Sequence, residues 1–243
     1  MNTIITTIYP KIDIHSHLLY GVDDGSKDLS QVKDALKVVK ESGIESIVCT
    51  PHFMAFQNEN YDKLVNNYKV LKKMFSKEGI NIYLKFEFKL NYNTLNILKN
   101  SAFKQKYLLI EFSRNENMPI DNLISLLNEV MDEGYKIVLA HPEFYFHYHK
   151  LKYVKKFKEC GCLIQIDATS VIKSEKRKIK RFARKLLKKN LVDIVASDYH
   201  DNKIRSYDAY MKGYYFVKKK YGFRVAQKLF CDNPKLIVDD IIN

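Results

Sequence analysis

DEGYKIVLAHPE, running from Asp132 to Glu143, holds one complete unit of this chain's plan. Gly134 ends an amphipathic segment, Lys136–Ala140 is short and apolar, and His141 and Glu143 follow at once. A glycine just past a helix takes the left-handed conformation that turns the chain back into a strand. Outward from this stretch the unit recurs as ESGIESIV at Gly43, KEGINIYL at Gly79 and ECGCLIQI at Gly161. Asn190 does the same work in KKNLVDIV. The strands this predicts are Lys11–His15, Ser46–Cys49, Asn81–Glu87, Tyr107–Phe112, Lys136–Ala140, Cys162–Asp167 and Asp193–Ala196. Most are rich in Ile and Val, as strands buried on both faces should be. Segments of helical period lie between them. Val32, Leu36 and Val39 share a face in Asp28–Ser42, as do Ile179, Phe182, Ala183 and Leu186 in Ser170–Lys189; Asn93–Asn100 is a shorter helix. Strand–helix alternation predicts an α/β fold with a parallel sheet. Seven units point to a closed or nearly closed barrel, with an open doubly wound sheet as the alternative. No Gly-rich phosphate fingerprint follows the first strand, which weakens a dinucleotide-binding version of the open sheet.

The chain has 243 residues, 46% of them hydrophobic, enough to bury a full core. No Pro/Gly/Ser-rich linker divides it, so residues 1–243 read as one domain, with 1–10 as an extension before the first motif. Lys and Arg number 41 against 28 Asp and Glu, a net charge of +13 that favours anionic partners. No apolar run approaches the length of a membrane span, and the N-terminus lacks the features of a secretory signal. Four cysteines in a chain this long suit a reducing cytoplasm rather than a disulfide scaffold. Cys160-Gly161-Cys162 reads as a helix end entering a buried strand, with metal or redox use the weaker reading.

Chemistry gathers at the strand ends. The first strand ends in His15-Ser16-His17, with Asp23-Asp24 beyond; the second runs into His52; the third ends at Glu87 and the fourth carries Glu111. His141 and Glu143 follow the fifth, Asp167 ends the sixth, and Asp198 and His200 follow the seventh. In a parallel barrel those ends form one face, where active sites are built. His-x-His at a strand end puts both imidazoles on one side, and Asp-x-His repeats the geometry. Imidazole with carboxylate suits Mn, Fe or Zn. So many groups exceed the needs of one ion, so two or three metals are implied, an arrangement that activates water and clamps phosphoryl oxygens. Cysteine-based phosphatase chemistry has no candidate, because no Cys is followed by Arg at the C-x5-R spacing.

The stretches DIHSHLLYGVDDGS, TPHF, IEFS, AHPE and SDYH resemble the polymerase-and-histidinol-phosphatase superfamily. The first, with its DDG, is similar to bacterial manganese-dependent protein-tyrosine phosphatases of capsule and exopolysaccharide loci, the CpsB/YwqE type. That resemblance implies a distorted (β/α)7, TIM-like barrel with a trinuclear centre. His15, His17, Glu87 and Asp198 would hold one metal; Glu87 would bridge to a second held by Glu111 and His141; Asp24, His52 and His200 would hold a third. Mn2+ is the expected ion, two or three per chain, with Fe or Zn as alternatives. It further implies hydrolysis of protein phosphotyrosine by a metal-bridging hydroxide, with Asp198 and His200 in the catalytic set and Arg205 binding the phosphate. The substrate expected is a tyrosine-phosphorylated protein, such as the tail of a bacterial tyrosine kinase of capsule synthesis. The expected location is the cytoplasm, with attachment at the inner face of the membrane as an addition.

Two departures from the family pattern stand out. Phe144 follows HPE where relatives usually carry a second phosphate-binding Arg, so His147, His149, Lys150 or Arg114 would have to compensate. Phe86 precedes Glu87 where relatives usually have Gly, and would crowd the backbone. Other readings remain: a small-molecule phosphatase of histidinol-phosphate type, a phosphodiesterase or nuclease, or a weakly active phosphoprotein-binding relative. Residues 171–190 hold ten Lys and Arg, either a solvated helix face or a dock for an anionic partner, nucleic acid being the less expected one. Tyr145, Tyr148 and Tyr199 could line an aromatic groove or simply pack.

Overall fold

The computed structural model describes residues 9–53, 61–100, 106–113, 118–172 and 176–242. The strands are β1 (Lys11–Ser16), β2 (Ile44–Cys49), β3 (Asn81–Leu84), β4 (Glu87–Lys89), β5 (Tyr107–Glu111), β6 (Lys136–Leu139), β7 (Leu163–Asp167) and β8 (Ile194–Ala196). The intervening helices are α1 (Leu29–Ser42), α2 (Tyr61–Ser76), α3 (Tyr92–Asn100), α4 (Ile120–Asp132), α5 (Leu151–Glu159), α6 (Ala168–Ile172) and α7 (Arg177–Lys188). After β8 come α8 (Tyr207–Tyr221), α9 (Phe223–Gln227), a π turn at Lys228–Asp232 and α10 (Asn233–Ile242).

Every strand pairing is parallel, in two sheets ordered β1-β2-β3 and β4-β5-β6-β7-β8. Single bridges join them, Ser16 with Tyr199 and His52 with Glu87. The seven strands of the sequence reading become eight because the third is interrupted at Lys85-Phe86. Lys85 is buried there and sends its Nζ to the Tyr107 carbonyl (3.1 Å) and toward Asp240 of α10 (3.5 Å). The backbone meanwhile keeps step with the β2 side, Lys85 N–H donating to Cys49 O and Glu87 N–H to Pro51 O. Phe86 does not crowd Glu87; its ring packs edge-on to Phe53 and Phe88. The long helix expected over Ser170–Lys189 is two, α6 and α7, with 173–175 outside the described residues.

The junctions behave as their residue types dictate. Gly43, Gly79, Gly134, Gly161 and Asn190 all have positive φ, the conformation that costs glycine least and asparagine little. Asp28 caps α1 by accepting from Gln31 N–H. Val48, Leu109, Val138, Ala140, Ile194 and Ala196 form an inner cluster closed by Ile237 and Val238 of α10. The alternate residues Ile47, Ile110, Ile137, Leu139, Ile166 and Val195 join the cluster under the outer helices. This alternation is the period of two applied to strands covered on both sides. Cys160 lies at the end of α5, Cys162 is buried ahead of β7, and all four cysteines are free. Tyr145, Tyr148 and Tyr199 are 2%, 4% and 0% exposed, so the packing reading holds and the aromatic groove does not form.

Candidate metal centre

Parallel strands deliver their C-terminal ends to one face, and there the nine expected residues meet. The His15 Nε2 stands 3.3 Å from His17 Nε2, 3.4 Å from Glu87 Oε1 and 3.3 Å from Asp198 Oδ1. Glu87 is the hub: its oxygens also lie 3.4 Å from His17, 3.0 Å from His52 and 3.0 Å from His141. Asp24 Oδ1 is 3.3 Å from Nε2 of both His52 and His200, and Glu111 lies 3.8 Å from His52. Four donor groups have all their ligand atoms within 4.8 Å of one another: His17/Asp24/His52/His200, His15/His17/Glu87, His15/His141/Asp198 and His52/Glu87/Glu111. These groupings differ from the partition implied by resemblance, and His17 also joins Asp24, His52 and His200. Glu111 groups with His52 and Glu87, and His141 with His15 and Asp198.

The donor set fits cations. Glu87 Oε2 and Asp198 Oδ1 are buried oxygens that no donor meets with hydrogen-bond geometry. A buried carboxylate oxygen in that condition is costly unless a cation or proton answers it. Electrostatics agree. Burial opposes charge on His15, His17 and His52, yet the surrounding carboxylates outweigh it and push them up to about 10, 9 and 11. Asp24, held chiefly by His200 and His52, drops far below the carboxylate range. Asp198 also falls, Arg205 and the imidazoles overcoming its burial. His141, where burial dominates, shifts down. Without metal, protons supply the positive charge this cluster requires.

A surrounding shell aims the imidazoles, and sequence reasoning did not foresee its contacts. Asp23 Oδ2 accepts from His17 Nδ1 (2.7 Å) and from the His52 amide (3.1 Å), while its other oxygen accepts from Gly25 N–H (3.0 Å). Gln165 Oε1 pairs with His15 Nδ1 at 2.9 Å, its Nε2 donates to Asp167, and Tyr145 Oη meets His141 Nδ1 at 3.1 Å. Glu143 accepts from the Asp167 amide, and burial raises both carboxyls, Glu143 to about 7. Of these, Asp23, Glu143 and Asp167 carried a sequence signal as strand-end or loop carboxylates, Tyr145 was read as a groove or packing residue, and Gln165 carried none. Removing such an orienting group typically costs about 10–100-fold in metal affinity or activity. Asp23→Ala is therefore expected to weaken metal binding within that range, read as free metal at half-occupancy. Wild-type affinity would mean that Asp23 does not orient His17.

The cleft over the cluster has a volume of about 270 Å³ and is lined also by Lys89, Phe112, Ser113 and Arg205. Arg205 Nη1 donates to Asp198 Oδ2 (2.7 Å), with its guanidinium 5.7 Å from the Phe144 ring centre. Of the residues expected to replace a missing arginine, His147, His149 and Lys150 do not line the cleft. His149 stacks on Phe182 and bonds the Glu143 carbonyl, His147 and Lys150 are exposed beyond the cleft lining, and Arg114 lies outside the described residues. Lys89, which the sequence did not flag, is the second cation on the cleft wall.

A family model for capsular polysaccharide synthesis proteins, CpsB/CapC, matches residues 11–239. The chain belongs to the CpsB/CapC family. Tyrosine-protein phosphatase CpsB of Streptococcus pneumoniae is 32% identical over 247 residues, spanning 95% of this chain and 100% of that protein. Tyrosine-protein phosphatase YwqE of Bacillus subtilis is 28% identical, covering 93% and 91% of the two chains. A crystal structure from work on YwqE of Bacillus subtilis and CpsB of Streptococcus pneumoniae, described as metal-dependent tyrosine phosphatases, aligns with a TM-score of 0.76 and 26% identity. It covers 94% of this chain and 91% of that one. Histidinol phosphate phosphatase of Lactococcus lactis, at TM-score 0.56 and 15% identity, shares the fold alone. This CpsB/CapC member thus has the TIM-like α/β fold expected of it. No helix among its described residues is long and apolar enough to cross a membrane.

Proposed function

We propose that this chain acts as one domain, a metal-dependent phosphomonoesterase that removes phosphate from tyrosine in proteins. The observation that carries the reading is the convergence of nine His, Asp and Glu side chains around the buried carboxylates of Glu87 and Asp198, beneath a cleft that Lys89 and Arg205 also line. His15, His17, Asp24, His52, Glu87, Glu111, His141, Asp198 and His200 would hold two or three ions, with Mn2+ first among candidates. Such ions supply activated water and charge stabilisation for an in-line attack on phosphorus. The chain's own groups do the rest. Arg205 and Lys89 attract and orient the phosphate, Arg205 offering a planar fork and Lys89 a point charge. Asp198 anchors Arg205 while facing the cluster. His200, 3.3 Å from Asp24 at the mouth of the cleft, would complete the catalytic set with Asp198 and Arg205. The relatives' names support a phosphotyrosine protein as substrate, a capsule-synthesis kinase being the natural one, met in the cytoplasm or at the inner membrane face.

The test is phosphate release by metal-stripped protein refilled with Mn, Fe, Zn or Mg. The substrates are a phosphotyrosine peptide, p-nitrophenyl phosphate, histidinol phosphate and single-stranded DNA. Metal-restored turnover strongest on the peptide is the expected result. Preference for histidinol phosphate or DNA would replace the substrate assignment. Silence on all four with metal bound would leave a binding protein.

A further inference from the structure

The chain's most concentrated charge lies outside the cleft. From Lys176 to Lys189 there are nine basic residues and no acidic one. Arg177, Arg181, Lys185 and Lys189 follow one another at i,i+4 and are all exposed, flanked by exposed Lys178 and Lys188. None of these six makes an ion pair among the described residues, although Lys37, Lys40, Lys99, Lys156 and Lys235 do so elsewhere on the surface. Like charges at i,i+4 repel, and cations in a first turn oppose the helix dipole. This arrangement costs the isolated helix stability, a cost that bound anions would relieve.

Position gives the stripe its meaning. The α6–α7 segment leaves the end of β7 where Asp167 sits, so α7 starts at the cleft side of the sheet and runs away from it. The α7 residue Phe182 stacks on His149, whose ring bonds the carbonyl of Glu143, two residues past His141. A hollow of about 470 Å³, lined by His149, Lys176, Arg177 and Lys178, lies at this junction. His141 lines the cleft and His149 lines the hollow, so the chain between residues 141 and 149 links the two. The twelve residues of α7 extend about 18 Å, which matches roughly five or six residues of extended peptide. The exposed large hydrophobic residues, among them Tyr61, Tyr92, Ile204 and Phe223, all lie off α7, so the stripe has charge without an apolar group to insert into lipid.

We propose that α7 is a docking rail for an acidic segment flanking the phosphotyrosine of a protein substrate. The inference deepens the phosphatase reading and rests on it for the substrate. The test compares wild-type protein with the triple variant Arg181→Gln, Lys185→Gln, Lys189→Gln, which keeps good helix formers on the exposed row and touches nothing in the cleft. Substrates are a phosphotyrosine peptide with about six flanking Asp and Glu residues, the same peptide with Ser in their place, and p-nitrophenyl phosphate. For the acidic peptide the variant's KM should rise about tenfold with kcat unchanged, while p-nitrophenyl phosphate kinetics stay as in wild type. The wild-type preference for the acidic peptide should fade with added salt as the Debye length falls below about 10 Å.

Equal KM values for the acidic and Ser peptides in wild-type protein would overturn the proposal. So would an unchanged KM in the variant. Binding of the unphosphorylated acidic peptide, followed by fluorescence anisotropy, separates the two readings. If no phosphotyrosine is hydrolysed but this peptide binds salt-sensitively and is lost in the variant, docking stands and the catalytic assignment falls. Absence of peptide binding, with variant-sensitive binding to phosphatidylserine vesicles, would make the stripe a membrane contact and overturn the peptide rail.

Discussion

Glu87→Gln is expected to lower phosphotyrosine-peptide turnover by on the order of 10³-fold, because metal-borne stabilisation is worth several kcal/mol of transition-state energy. Glu87 is the right place to look for the largest loss. It is almost fully buried and lies within 3.0–3.4 Å of four imidazoles: His15, His17, His52 and His141. It belongs to two of the four donor groups, so one substitution reaches more than one proposed ion. Gln keeps the shape and removes the charge, leaving an amide nitrogen facing imidazole nitrogens that already crowd one another. Bound metal, measured by elemental analysis after gel filtration, should fall by at least one ion per chain while the circular dichroism spectrum is kept. Full metal occupancy with wild-type turnover would refute the bridging role.

Stripping the metals is expected to abolish turnover and lower the melting temperature. A ligand at 100 times its Kd contributes about 2.7 kcal/mol to the folded state. For a chain of this size that is roughly 5–10 °C. The pH dependence has a definite sign. In the metal-free protein His15, His17 and His52 hold protons up to about 10, 9 and 11, above an ordinary imidazole. A raised folded value means that these protons stabilise the fold fully below about pH 6.5 and are lost as pH rises through 9 to 11. Metal-free protein should therefore lose stability from neutral pH upward. Metal must displace the same protons, so its apparent affinity should climb with pH over that range. Titration calorimetry in buffers of differing ionisation enthalpy measures the released protons. An affinity flat between pH 6 and pH 8 would contradict this account.

The candidate ligands were legible because two regularities place them. The Gly-strand-His unit fixes where each strand ends, and parallel order brings those ends together. His15, His141 and Asp198 needed nothing more. The helix caps at Gly43 and Asn190 were equally local. What surrounds the ligands was not local. Gln165 looks like an ordinary mid-strand residue until β7 sets it beside His15, and Tyr145 reads as packing until its hydroxyl meets His141. Lys89 stands on β4, a strand that exists separately only because Lys85 turns aside to α10. His149 misses the cleft for a related reason. His149 is drawn away from the cleft by Phe182, a partner 33 residues later that no local pattern announces.

The divided sheet has a mechanical side. β1, β2 and β3 form one plate and β4 to β8 the other, with a single bridge across each gap. His15, His17, Asp24 and His52 come from the first plate and its loops, whereas Glu87, Glu111, His141, Asp198 and His200 come from the second. Each of the four donor groups draws from both. Ions held there would work as clasps across the gaps as well as reagents. A cell starved of the ion would then possess a slacker protein, readier for proteases, so that metal supply would govern how long the enzyme lasts and not only whether it works.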